Sequence, residues 1–282
     1  MSKFDHVYSD LVKDILNNGA KEYNERTGTY CYTGAPVTLE YFDEDEAPLP
    51  TIKPAYPVLG IAEMLGYIRR LDNAQDFADI GSTCWFGNAN ETQAWINNPN
   101  RKGKNHLGRV YGGAVSEKEI REVFKKLEAG LDDRGLVLDF WRPELFDEGC
   151  LRPCLMFHQW TKVGDRLYLT SVQRSCDVGL GLLANSPQIY WLLKLGCKLS
   201  GLKFGGARHV INNPHIYSKH EEGLREMLER QPYLTKPTME IPDWVNSYED
   251  ILKAGVHGRE YVKVGNYSKG EKHLPISLEM VV

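Results

Sequence analysis

Several short stretches of the sequence bring together side chains that could bind or react. In QRSCDVGLG at 173–181, Arg174, Ser175 and Asp177 offer a guanidinium, a hydroxyl and a carboxylate beside close-approach glycines, a set that could grip a phosphorylated ligand. The same residues would equally serve as an arginine–aspartate pair closing a strand-to-helix turn. Cys154 follows Pro153 at the head of an apolar run, and Arg152 or Arg174 beside it would favour the reactive thiolate. A buried, inert cysteine is the alternative. His215 and Tyr217 lie two apart, share a face if extended, and could both hydrogen-bond a sugar hydroxyl. A histidine merely satisfied in the core gives the same pattern. Cys150, Cys154 and His158 could be read as metal ligands, but no fourth ligand is evident. Gly205 and Gly206 lack the lysine and spacing of a phosphate loop and read as turn glycines.

The elements that must position these residues follow from hydrophobic spacing. Phe4, Val7, Tyr8, Leu11, Val12 and Ile15 recur at helical steps until Asn17, Asn18 and Gly19 stop them. Residues 30–55 read as short strands and exposed turns, and a second helix over about 61–70 carries Glu63. The Asn-, Gly- and Lys-rich stretch 87–112 reads as a long surface excursion. Ser116 followed by Glu119 has the spacing of a capping box, opening an amphipathic helix through Ile120, Val123, Phe124 and Leu127 that ends near Gly130. Apolar runs at 136–141, 155–160 and 167–172 read as neighbouring strands of a sheet. Ser186 and Pro187 suit the cap and first position of a helix whose almost wholly apolar body, 189–199, would be buried all round. A last capped helix starts at Ser218, with Glu221 three residues on, and ends before Pro232. The fold class is α/β, or α+β in looser usage, with one domain over 1–282.

The composition sets limits on function. With 282 residues, 42% hydrophobic and 26% charged, the chain has material for one sizeable core. Its net charge of −4 gives no global attraction to nucleic acid or acidic membranes, so an anionic substrate must be held by local arginines. The N-terminal segment breaks its apolar residues with charges and no later run is long enough to span a bilayer, which places the chain in the cytoplasm with neither a membrane nor a nucleic-acid partner expected. Six scattered cysteines do not look like a disulfide framework.

Read in order, PC at 153–154, QRSCDVGLG at 173–181, Asn185 and HIY at 215–217 resemble the signature of the thymidylate synthase family. Similarity extends to RTGT at 26–29, PLPTIK at 48–53, the helix bearing Glu63, CW at 84–85, RVYG at 109–112 and the terminal LEMVV. The resemblance implies a large mixed sheet covered by helices, a homodimer through a sheet face, and transfer of a one-carbon unit to C5 of a pyrimidine nucleotide from 5,10-methylenetetrahydrofolate, without a metal. Cys154 would add to C6 of the pyrimidine. Arg26, Arg174 and Ser175 would bind the phosphate, joined by Arg134 from the partner subunit. Asn185 would read the pyrimidine edge with Gln173 beside it, and an amide there suits uracil, so dUMP is the expected substrate. His215 and Tyr217 would hold the deoxyribose. Lys53, Asp177 and Gly181 would hold the folate, with Trp85 lining the cavity between nucleotide and cofactor. Glu63 and Tyr111 would manage protons, and Val282 would close over the ligands.

Three departures from the family pattern stand out: Leu155 where histidine is common after the nucleophile, Gly135 in place of the second arginine of a pair, and LLAN at 182–185 for the common LPFN. Two other readings share the signature in part. A nucleotide hydroxymethylase would let water trap the exocyclic methylene, and a nonenzymatic nucleotide- or RNA-binding relative would be expected to lose the nucleophile or the proton-handling groups, all of which are present.

Overall fold

The computed structural model describes residues 2–25, 27–267, 273 and 275–280. Helix α1 (Lys3–Asn18) opens on Ser2, whose side chain accepts from the Phe4 amide, and buries Phe4, Tyr8, Leu11, Val12, Ile15 and Leu16 on one face. It stops at Gly19, where any Cβ would sit 2.4 Å from the Ile15 carbonyl oxygen. Three short strands follow, β1 (Ala20–Asn24), β2 (Thr29–Thr33) and β3 (Val37–Tyr41), and then α2 (Pro57–Ile68), which begins earlier than the hydrophobic spacing suggested because Pro57 is preorganised for a first helical turn.

The stretch expected to be a surface excursion lies largely at the surface but is anchored to the core at several points. After α3 (Ala74–Asp79), it carries α4 (Phe86–Asn90) and α5 (Gln93–Ile96), and it buries Ala89, Trp95, Leu107 and Val110. Apolar residues are sparse there, so periodicity missed them, but several point in: Trp95 is 2% exposed and donates through Nε1 to the His106 carbonyl at 2.6 Å.

Helix α6 (Glu117–Glu128) has the expected Ser116–Glu119 capping box. The remaining elements are β4 (Val137–Asp139), β5 (Leu155–Val163), β6 (Arg166–Gln173), β7 (Cys176–Asp177), α7 (Gly181–Ser200), β8 (Lys203–Ile211), β9 (Pro214–Tyr217), α8 (Glu221–Leu228), β10 (Thr238–Glu240), α9 (Tyr248–Ile251) and β11 (Lys263–Gly265). Helix α7 is buried without a break from Ser186 to Gly196, as its apolar text implied. Its start is a correction. The helix begins at Gly181, so Pro187 lies inside it, and the Ser186 hydroxyl accepts from Tyr41 at 2.8 Å instead of capping a turn. Proline withholds one helical bond from the Leu183 carbonyl, a loss that burial on all sides outweighs. Ser218 likewise does not cap α8; a short 3₁₀ turn, Ser218–His220, precedes it.

The strands form a five-stranded mixed sheet, order β3-β8-β6-β5-β4, a four-stranded sheet, order β1-β2-β9-β7, and the β10–β11 pair. In the large sheet only β6 and β8 run parallel, and α7 connects them and packs on both. Both of these strands leave the large sheet side by side. After the Gln173–Ile211 pair they cross to the smaller sheet as β7 and β9, whose parallel pairing opens with Cys176 opposite Pro214. Arg174 and Ser175 occupy that crossing. A register shift between Leu155 and Phe157 in β5 lies immediately after Cys154, so the strand bends where the cysteine emerges. The buried apolar residues make one continuous cluster beneath these features. Among the described residues, no helix is long and apolar enough to cross a membrane.

Candidate active site

Cys154 is half-buried at the start of β5, and its backbone is fixed at both ends: its amide donates to the Tyr111 hydroxyl at 2.9 Å and its carbonyl accepts from the Arg174 amide at 2.8 Å. The Arg174 guanidinium straddles the preceding turn, Nε donating to Pro153 O at 2.8 Å and Nη2 to Arg152 O at 2.9 Å, and it lies over the Trp141 ring. Among the described residues its Nη1 makes no hydrogen bond. None of the six cysteines, all described, is in a disulfide, which leaves Cys154 as a thiol.

Tyr111 reaches Cys154 through an unusual backbone. It adopts φ +49°, and the next residue must be glycine because a Cβ on Gly112 would fall 1.6 Å from the Tyr67 carbonyl oxygen. The Tyr111 ring stacks on Tyr67 at 4.2 Å with Trp85 and Phe140 edge-on, a buried aromatic box. Burial pushes the Tyr111 hydroxyl pKa well up, with Cys154 and Glu63 adding to it, so the phenol keeps its proton.

Glu63 lies against this box. Its Oε1 accepts from Cys84 Sγ at 3.4 Å and its Oε2 from Gln188 Nε2 at 3.3 Å. Burial raises its pKa, opposed by the hydrogen bonds from Cys84 and Gln188 and by the nearby Tyr67 hydroxyl and Trp85 N–H. A carboxyl held above its ordinary pKa beside a phenol can take up and return protons. Trp85 is 4% exposed and packs edge-on to Tyr67 and Tyr111.

Asn185 sits in the first turns of α7 between two glutamines. Its Oδ1 accepts from Gln173 Nε2 at 3.1 Å and its Nδ2 donates to Gln188 Oε1 at 3.1 Å. Next to it a cleft of about 190 Å³ is lined by Cys31, Thr33, Ser175, Asn213, His215 and Tyr217, with the β1–β2 hairpin forming one wall. His215 and Tyr217 do share a strand and a face, in β9, with rings edge-to-face at 5.1 Å.

Asp177, Lys53 and His220 form a charged group on the other side of α7's first turn. Asp177 Oδ1 accepts from the Gly179 amide at 2.9 Å and faces His220 Nδ1 at 3.5 Å. Burial lowers the Lys53 pKa to about 8, with Asp177 pulling upward and Arg230 downward. His220 is wholly buried; burial pushes its pKa down, but Asp177 and the Glu279 carbonyl, at 2.7 Å from Nε2, raise it overall. The loop carrying Lys53 is tied down by the buried Asp5 carboxylate, which accepts from the Thr51 amide and hydroxyl, both at 2.6 Å. Gly181 lies between the two groups, its Cβ position 3.7 Å from Asn185 Oδ1 and 3.9 Å from the Asp177 Cβ.

The structure therefore converges Cys154, Glu63, Tyr111, Arg174, Gln173, Ser175, Asn185, His215 and Tyr217 on one region, with Lys53, Asp177, Gly181 and Trp85 around it. Arg134 stands apart: it is exposed, its carbonyl accepts from Gln159 on β5 at 3.1 Å, and among the described residues no hydrogen bond or ion pair links it to the cleft. Arg26 and Val282 lie outside the described residues. Gly135 follows an Asp133 turn, its amide donating to Asp133 Oδ1 at 2.7 Å. Leu155 is 1% exposed and belongs to the core. His158 is wholly buried and bonds Ser171 at 2.6 Å, and no group of metal-ligating side chains occurs among the described residues.

Sequence reasoning passed over Gln188, Tyr67, His209 and His220. A signal existed for the first: Asn185 and Gln188 are three apart, neighbours on any helix, but starting the helix at Ser186 put them in different elements.

The segments that meet here lie within residues 6–282, the span matched by the family model described as Thymidylate synthase. The protein of Shewanella halifaxensis named thymidylate synthase is 43% identical over 254 residues, covering 86% of this chain and 90% of that one. That of Idiomarina loihiensis is 44% identical over 255 residues with the same coverage. That of Haemophilus influenzae is 41% identical over 282 residues, covering 96% of this chain and 99% of its own. A match of this extent takes in both sheets, the crossing between them and the cysteine it presents, so the chain belongs to the thymidylate synthase family.

Proposed function

We propose that the protein methylates dUMP to dTMP, with Cys154 as covalent nucleophile and 5,10-methylenetetrahydrofolate as one-carbon donor and reductant. The observation that carries this reading is the fixed Cys154 backbone, held between the Tyr111 hydroxyl and the Arg174 amide beside an amide, Asn185, able to donate and accept toward one base edge. Attack of the thiolate on C6 makes C5 a carbon nucleophile. Arg174 Nη1 and Ser175, with Arg26, hold the nucleotide phosphate. His215 and Tyr217 hold the sugar, and Gln173 holds Asn185 against the pyrimidine. Glu63 and Tyr111 move the C5 proton through water.

The residues on the far side suit a folate: Lys53 is a cation for an acidic tail, Asp177 is an acceptor for the N–H groups of a pterin, and Gly181 leaves room beside it. Trp85 closes the inner wall, and Val282 closes over the ligands. Methylation is favoured over hydroxymethylation by the names of the relatives. The whole chain, 1–282, acts as one catalytic domain in the cytoplasm. It works as a homodimer through the outer face of the large sheet, and the exposed Arg134 beside β5 serves the partner's phosphate site.

The test is incubation of the purified protein with dUMP and methylenetetrahydrofolate, following dihydrofolate by absorbance and the nucleotide product by mass. Coupled appearance of dTMP and dihydrofolate is expected, with Cys154→Ala reducing turnover roughly 10⁴-fold or more. Hydroxymethyl-dUMP with tetrahydrofolate would replace methylation by hydroxymethylation, and no Cys154-dependent product from dUMP or dCMP would sink the enzyme reading.

A further inference from the structure

Asn185 can select a base only if its amide is held one way round, because a freely turning amide presents donor and acceptor in either order. We propose that Gln188, anchored on the carbonyl of Gly60, fixes the orientation of the Asn185 amide and thereby sets the preference for uracil over cytosine. The inference rests on the reading of Asn185 as the base contact and adds to it the residue that decides what Asn185 can read.

A backbone carbonyl only accepts, so the atom of Gln188 that lies 3.0 Å from Gly60 O is Nε2. Its second hydrogen faces Glu63 Oε2 at 3.3 Å. That turns Gln188 Oε1 toward Asn185, and the atom meeting it at 3.1 Å must be the donor Nδ2. The other side gives the same answer independently. The Ser175 carbonyl, 2.9 Å from Gln173, requires Nε2 there, and the same Nε2 donates to Asn185 Oδ1 at 3.1 Å. Gln173 Oε1 is then an acceptor, matched by His209 Nε2 at 2.7 Å. His209 is buried with its pKa pushed down to about 3 by burial and by His158, so it is neutral, carries its proton on Nε2, and leaves Nδ1 facing the Tyr41 hydroxyl at 3.2 Å.

Two backbone anchors thus leave Asn185 one Nδ2 hydrogen and one Oδ1 lone pair in fixed positions. Uracil offers the O4 acceptor beside the N3–H donor, which this order matches. Cytosine offers an amino donor beside the bare N3, the reverse order. Accepting it bidentately would turn the amide over, setting Nδ2 against the Gln173 N–H and Oδ1 against Gln188 Oε1, two like-on-like contacts in a half-buried setting. Gln188 is fully buried and touches neither ligand in this scheme, so it is a positioning residue.

The experiment compares the KM for dUMP with the inhibition constant of dCMP in the wild-type enzyme, Gln188→Met and Gln188→Glu, with thermal melting to confirm folding. Methionine keeps the volume and removes all three bonds, and the dCMP-to-dUMP ratio is expected to fall about tenfold. Glutamate keeps an acceptor aimed at Asn185 Nδ2 but sets its other oxygen against two acceptors, Gly60 O and Glu63 Oε2, so the anchor is lost and the ratio should fall here as well. A purely structural role for Gln188 would weaken both nucleotides alike, so an unchanged ratio in Gln188→Met overturns the inference. If that variant does not fold, Gln188→Leu removes the same hydrogen bonds, and an unchanged ratio there has the same meaning. A wild-type protein indifferent to dUMP would instead overturn the reading of Asn185 itself, and the lock with it.

Discussion

The two halves of the site are built differently. Around the proposed nucleotide site, Asn185, Gln173 and Gln188 sit on α7 and β6, and their side-chain donors and acceptors are linked in a chain that runs from Glu63 to Tyr41 through buried partners. Around the proposed folate, Lys53 is on a loop, Asp177 on a two-residue strand, and His220 in a 3₁₀ turn that holds the 275–280 segment through Glu279, its carbonyl on His220 Nε2 and its carboxylate on Lys219 Nζ. Fixed hydrogen bonds on regular elements suit a ligand edge that must be read in one orientation. Charge on loops suits a ligand whose acidic part needs attraction more than register.

That contrast can be broken experimentally, and the largest effect is expected at the shared boundary. Glu63→Gln keeps the shape but removes the titrating proton, and kcat should fall about 10²–10⁴-fold with little change in the dUMP KM. A drop confined to KM would place Glu63 in binding and erase its distinction from the folate side.

On the folate side, Lys53→Met should raise the folate KM about tenfold while kcat stays near wild type. Lys53 is cationic below about pH 8 and neutral above it, so the wild-type folate affinity should weaken as pH rises through about 8, and the variant should be flat there. Stability moves the other way. The folded state releases this proton at about 8 and the unfolded chain near 10.5, so the unfolded state binds more protons between them, and wild-type stability should rise over that window. Denaturant midpoints against pH measure this, and a fall over the same window would contradict a buried, depressed Lys53.

The smallest effect tests the far end of the nucleotide network. Tyr41→Phe removes a hydroxyl shared between Ser186 and His209 and should cost about 1 kcal/mol in denaturant unfolding, with kcat unchanged. A kcat loss larger than the stability loss would mean that the chain transmits orientation over its whole length.

Much of the framework was legible in the residues alone. The α1 face, the Ser116–Glu119 box, the three neighbouring strands β4, β5 and β6, and the buried body of α7 all follow from local spacing, because each element is decided by contacts within a few residues. The boundaries that failed were decided at longer range. Ser186 and Pro187 carry the local signs of a helix start, yet Tyr41, 145 residues away in sequence, takes the serine hydroxyl, and burial carries α7 back to Gly181. The stretch containing Trp95 looked solvated because its few apolar residues have no period, and only the core shows that they converge.

The motifs by themselves supplied the candidate residues: a cysteine after proline, an arginine–serine–aspartate turn, an amide, and a histidine–tyrosine pair. Tertiary structure alone decided how they stand. Parallel strands β6 and β8 cross together from one sheet to the other and bring Ser175 beside His215, and the carbonyls of Gly60 and Ser175, 115 residues apart, orient one asparagine between them. No local pattern can encode that, because the direction of an amide is set by whichever acceptor the fold brings within about 3 Å of it.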